Sequence, residues 1–161
     1  MLGGAVHHIA GFMDADWGGD ADDRRSIGAY VFKLSTGAIS WKLRKQACIA
    51  LSSTEAEYMV LCQAAKEAIW LNDFLSTLGI SIQDLIPIHI NNQGSIALVK
   101  NPVFHNHSKH VNIQYHYTGD LVHNGKLHLQ YLPTKDMVAN ILTKSLPQVQ
   151  HVCLVKGLGL F

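Results

Sequence analysis

Residues 52–78, SSTEAEYMVLCQAAKEAIWLNDFLSTL, carry the strongest regular pattern in the chain, and their reading decides the fold. Ser52 followed by Glu55 fits a capping box, in which two side chains satisfy backbone N–H groups at the start of a helix. Counting about 100° per residue from Glu57, Leu61, Ala64, Ala68 and Leu75 fall within roughly 40° of it. Lys66, Asp73 and Thr77 fall on the far side, the pattern of a helix lying against a core. Gly79 suits the end of such a helix. Glu57 is the anomaly, because a carboxylate on a core-facing stripe is costly unless it is paired, hydrogen-bonded or metal-bound.

Upstream of this helix the chain reads as three strands. Residues 9–16, IAGFMDAD, form an apolar run ending in carboxylates, and DWGGDADDRRS is a Gly-rich loop. Residues 28–34, GAYVFKL, are a second strand, Ser35-Thr36-Gly37 a turn and residues 38–42, AISWK, a third, so a hairpin is expected. Downstream, IPIHIN (86–91) is a fourth strand and QGSIALVK (93–100) a short helix stopped by Asn101-Pro102. A polar, His-rich helix over 108–123 follows, then a fifth strand, KLHLQYL (126–132), and short helices over 134–143 and 147–158. This order predicts an α/β domain on a mixed sheet: an antiparallel three-strand meander, then a strand reached by a helical crossover. Residues 1–8 read as a residual N-terminal segment and 9–161 as the domain, and the whole as a piece of something longer.

Composition narrows the chemistry. The 161 residues suit one domain with a full core, and 48% hydrophobic residues argue against disorder. A net charge of +1 gives no global field toward a polyanion, so any nucleic-acid role must rest on a local patch. Cys48, Cys62 and Cys153 are odd in number and form no CxxC, which disfavours a disulfide scaffold or zinc ribbon and fits a reducing, intracellular compartment. No apolar run approaches the roughly 18 residues of a membrane span, and no secretory signal is expected.

Three groups of residues could carry chemistry. Asp14 and Asp16 share one face at the end of the first strand, and a strand-end Asp beside the helical Glu57 would make an oxygen-lined site suited to Mg²⁺. From spacing alone, solvated loop acids and a fraying helix end explain these residues better. His105, His107, His110 and His116 lie in one stretch; with no acid or cysteine at ligand spacing, structural or solvated histidines are favoured over a zinc or nickel site. Lys42, Arg44 and Lys45, with Arg24 and Arg25, could grip phosphates or form an ordinary solvated turn. Trp17, Trp41 and Trp70, with their apolar neighbours, are expected in the core rather than as stacking platforms.

Longer strings carry a resemblance. FMDADWGGDADDRRSIGAYVF, AISWKLRKQACIALSSTEAEYMVL, AAKEAIWL, NNQGSIALVKNPVFHNHSKHVNIQYHY and LQYLPTKDMVANILTKSLP resemble the ribonuclease H domain of copia-type LTR retrotransposon Pol polyproteins, over residues 9 to 161. The resemblance implies a ribonuclease H-like fold, a five-stranded mixed sheet flanked by helices. It implies hydrolysis of RNA in RNA–DNA hybrids during reverse transcription, beside a reverse transcriptase domain of the same polyprotein. It implies two Mg²⁺ (or Mn²⁺) ions held by four acids, one activating water and one steadying the leaving oxygen.

Carried onto this chain, two of those acids are Asp14 and Glu57, with Glu55 left to capping. The Asp of the family's CDNQ motif falls on Asn91, and that of its ADILTK motif on Asn140. Asn112, Gln114 and Lys135 stand where relatives usually carry Asp, Arg and Glu. Each change can arise from one G-to-A transition, as in a decaying silenced element; a codon comparison with intact relatives lacking such an excess would count against this. The expectation is a degenerate copy, a pseudoenzyme with weak or absent metal binding. The alternatives are an active ribonuclease H in which Asp16 or another acid compensates, and a hybrid-binding or His-rich metal-binding remnant.

Overall fold

In the computed structural model of the chain, the described residues are 6–19, 22–100 and 109–160, without the side chains of 109–112. β1 (Ile9–Asp16), β2 (Ile27–Leu34) and β3 (Gly37–Lys45) form the antiparallel meander. α1 (Ser53–Thr77) crosses over to β4 (Ile86–Ile90), which lies parallel to β1. α2 (Gln93–Lys100) and α3 (Lys109–His123) precede β5 (Leu127–Tyr131), parallel to β4. The order β3-β2-β1-β4-β5 is the mixed five-stranded sheet that the element order predicts. The expected stop at Asn101-Pro102 lies outside the described residues.

Alternation along β1 sorts its side chains onto two faces. Ile9 and Met13 join Tyr30, Phe32, Ile86, Ile88 and Ile90 beneath the α1 stripe of Leu61, Ala64, Ala68 and Leu75. Phe12 packs on the other face with Val31, Val138, Leu154 and Leu158. Each fully buried large apolar side chain contributes roughly 1.5–3 kcal/mol, so the sheet is held mainly by these two layers. The cap of α1 forms as expected, with Glu55 N–H donating to Ser52 Oγ at 3.1 Å. The Glu55 carboxylate accepts from Leu51 N–H at 2.6 Å, one residue before the position a capping box prescribes. Gly79, at φ +75°, ends the helix in the left-handed region.

Three expectations need correction. The helix predicted over 134–143 is a 3₁₀ turn (Thr134–Asp136) and a single turn, α4 (Asn140–Thr143), separated by extended backbone at Met137. Met137, Val138 and Ala139 are all buried there, and the Asn140 side chain bonds the Thr134 carbonyl, which a continuous helix would direct elsewhere. β3 runs on past the expected end at Lys42 to Lys45, so Arg44 and Lys45 join Lys42 on an edge strand rather than forming a turn. The three tryptophans are exposed: Trp17 54%, Trp41 65% and Trp70 55%. Trp17 latches to the Ala50 carbonyl, Trp41 lies on the uncovered edge strand, and Trp70 stacks on Phe74 on the outer side of α1. α5 (Gln148–Gly157) completes the second layer, and Leu158 O accepts from Ala38 N–H at 3.0 Å. No helix among the described residues is long and apolar enough to cross a membrane.

Candidate active site

Parallel pairing brings two strand ends together. Gly11 lies opposite Ile88, so three residues further along each strand Asp14 faces Asn91. Asp14 is on the Phe12 face, which α4 covers, and its side chain is completely buried. Asn91 Nδ2–H donates to Asp14 Oδ1 at 3.0 Å. The Thr143 hydroxyl donates to Asp14 Oδ2, and Lys144 Nζ reaches Oδ1 at 3.0 Å. Lys144 also donates to Asn140 Oδ1 at 3.3 Å, while Asn140 Nδ2–H donates to the Thr134 carbonyl at 2.6 Å. Every interaction here has a donor facing an acceptor, so the fully buried Asp14 charge is compensated.

Glu57 enters from the first turns of α1. Burial, then the nearby Asp14 charge, pushes its carboxyl up to about 8, although the Ala15 backbone N–H and the Lys144 ammonium oppose the rise. Its buried Oε2 has no hydrogen-bond partner. One side of the site is thus an unfilled acceptor, and the other is filled by the chain's own amides, hydroxyl and ammonium. The four positions inferred from the resemblance, Asp14, Glu57, Asn91 and Asn140, therefore meet at one place in the fold.

These donors do not fit a pair of divalent cations. Two carboxylates bring at most two negative charges, and Lys144 already offsets one of them. Asn91 turns an N–H toward Asp14, where a metal ligand would turn an oxygen toward an ion. Among the described residues no group of three or more His, Cys, Asp or Glu could hold a metal. Asp16 is half-buried beside Gly19 and is bonded to none of the four positions. His105 and His107 lie outside the described residues, as does the His110 side chain, and His116 is exposed on α3. Cys48 and Cys153 are exposed and Cys62 is buried, all three as free thiols.

The basic candidates divide into two sets. Lys45 Nζ lies 2.8 Å from Asp23 Oδ2, and Arg25 Nε 3.6 Å from the same oxygen, with Arg24 exposed beside them. Lys42 and Arg44 stand opposite Tyr30 and Gly28 and point to the α1 side of the sheet. There they line a groove with Gln63, Lys66, Glu67, Trp70 and Gln114. Sequence reasoning gave no role to Thr143, Lys144, Lys66 or Trp70 in these sites. Lys144 had a usable signal, since it follows Asn140 by four residues and so shares its side of a helical turn.

No family model matches the chain. It is 38% identical over 147 residues to the retrovirus-related Pol polyprotein from transposon TNT 1-94 of Nicotiana tabacum, a match that covers 91% of this chain and 11% of that protein. It is 39% identical over 148 residues to the retrovirus-related Pol polyprotein from transposon RE1 of Arabidopsis thaliana, covering 92% of this chain and 10% of that protein. The chain thus spans about a tenth of the length of the curated relatives it matches. Among solved structures it resembles LC11-RNase H1 in complex with an RNA/DNA hybrid, at a TM-score of 0.57 and 13% identity, covering 83% of this chain and 92% of that one. A likeness at that identity establishes the fold, and the Pol relatives establish the lineage. The chain belongs, as a ribonuclease H-fold domain, with the copia-type retrotransposon Pol polyproteins.

Proposed function

We propose that residues 9–161 are a ribonuclease H domain that keeps the fold and a surface for RNA–DNA hybrid but does not hydrolyse RNA at a useful rate. The observation that carries this reading is the closed network at Asp14. Asn91, Thr143 and Lys144 occupy its oxygens, and Asn140 holds Lys144, so the Asp14 side of the centre is satisfied without metal. The family's reaction takes two Mg²⁺ or Mn²⁺ ions on four acids, and here the third and fourth positions are amides that bring no charge. In the relatives this domain works beside a reverse transcriptase in one polyprotein, and the same partner and an intracellular setting are proposed for this chain.

The test is cleavage of the RNA strand of a hybrid in Mg²⁺ or Mn²⁺. The chain as it stands should give background, and Asn91→Asp with Asn140→Asp should restore cleavage at least about a thousandfold, because residues that act as a unit are lost together. Turnover by the unaltered chain at a rate typical of active relatives would refute the reading.

A further inference from the structure

We propose that the groove between β3 and α1 is a second nucleic-acid contact, which seats strand phosphates on Lys42, Arg44 and Lys66 and a base or sugar against Trp70. The inference rests on the hybrid-binding part of the reading above but not on the state of the catalytic centre. Lys42 and Arg44 come from alternate positions of the edge strand, and Lys66 and Trp70 from one side of α1, with Gln63 and Gln114 completing the walls. Among the described residues no carboxylate pairs with any of the three cations. The one acid in the groove, Glu67, has its oxygens taken by Ser40 Oγ at 2.6 Å and Tyr30 Oη at 3.3 Å, which hold it toward the sheet. Trp70 stacks on Phe74 with ring centroids 5.1 Å apart, yet more than half of its surface stays exposed.

Unpaired cations around an aromatic ring are the combination that binds a nucleic-acid strand without sequence preference. An acidic peptide would meet the charges but make less use of the ring. Lys66 stands nine positions after Glu57 on α1, about 13.5 Å further along the axis and on the opposite side of the helix, so the groove is a contact separate from the β1 end. Gln114 bears on this too: it lines the groove without charge, so a cation placed there should strengthen the contact.

The experiment is binding of an 18-base-pair fluorescein-labelled RNA–DNA hybrid by anisotropy, from 20 to 200 mM salt, with the full chain in EDTA. Lys42→Gln with Lys66→Gln should weaken binding about tenfold and flatten the log–log salt slope by roughly 1.4–1.8. Gln114→Arg should tighten binding and steepen the slope. Lys126→Gln with Lys156→Gln removes the same net charge away from the groove and should leave the slope nearly unchanged. If both double variants weaken binding equally, or if Gln114→Arg does nothing, the groove is not the contact, although the ribonuclease H reading survives. Competition by polyglutamate as strong as that by unlabelled hybrid would also overturn the proposal. Failure of the unaltered chain to bind hybrid at all would overturn both.

Discussion

The end of β1 and the flank of α1 treat charge in opposite ways. At the end of β1 both oxygens of Asp14 are matched within the chain: an amide, a hydroxyl and an ammonium surround one buried carboxylate. Along the groove between β3 and α1, three cations face solvent with no carboxylate partner among the described residues. The first arrangement favours a stable fold without metal, and the second leaves binding capacity unspent. On the function proposed above, catalysis and binding would reside in separable parts of this domain, so one could decay while the other persists. A carboxylate cluster needs all its members at once, whereas a phosphate groove loses affinity by increments, one cation at a time.

The largest expected effect tests the closed centre directly. Restoring both acids should convert background cleavage to metal-dependent cleavage, as described above. The same double variant should be less stable without metal, because four carboxylates in one buried place repel. Its melting temperature in EDTA should fall by roughly 4–10 °C and recover in millimolar Mg²⁺, while the unaltered chain should respond little to either. A melting temperature that rises in EDTA on making the reversions would break the comparison at its first half.

Glu57 supplies the next effect. Its carboxyl titrates at about 8 in the folded chain, against an ordinary value of 4.5. Between these values the folded state holds a proton that the unfolded state has lost. Stability should therefore fall as pH rises from about 4.5 to about 8 and be level above that. Glu57→Gln should flatten this dependence, leaving stability near pH 5 unchanged and raising it near pH 8.5 by about 1–3 kcal/mol. Urea unfolding across that range measures it, and parallel profiles for the two proteins would show that Glu57 is not the group responsible.

Lys144→Met should cost about 1–3 kcal/mol in urea unfolding, since it leaves the buried Asp14 charge with fewer donors. Part of the Lys144 side chain is in water, which keeps the figure below that of a fully buried pair. The smallest effect belongs to the exposed pair of Lys45 and Asp23, where Lys45→Gln should change stability by less than about 0.5 kcal/mol. A large loss there would mean that the basic residues of β3 act structurally, and would weaken the contrast between the two regions.

Much of this was legible in the residues. The stripe from Glu57 to Leu75 gave α1 and its buried face, because helical period and burial are both local consequences of side-chain order. The alternation in β1 gave the strand and its terminal acids, and the family strings mapped Asn91 and Asn140 onto the site. The exposure of the tryptophans was not legible, because apolar neighbours in sequence do not tell which side of an edge strand or helix remains uncovered. The helix expected over 134–143 broke for a similar reason: Met137 to Ala139 had to be buried together, and Asn140 found its partner at Thr134.

The sequence by itself determined which residues are charged, which lie on a core face, and that two positions expected to be acids are amides. Only the tertiary structure decided what those amides do. Asn91 meets Asp14 because two parallel strands end side by side, and Lys144 reaches both Asp14 and Asn140 because α4 folds over that face. Lys42 and Lys66 share a groove because an edge strand and a crossover helix leave one open between them. Hydrogen bonds and charge pairs act over a few ångströms, and in a folded chain such neighbours are set by packing between elements far apart in sequence.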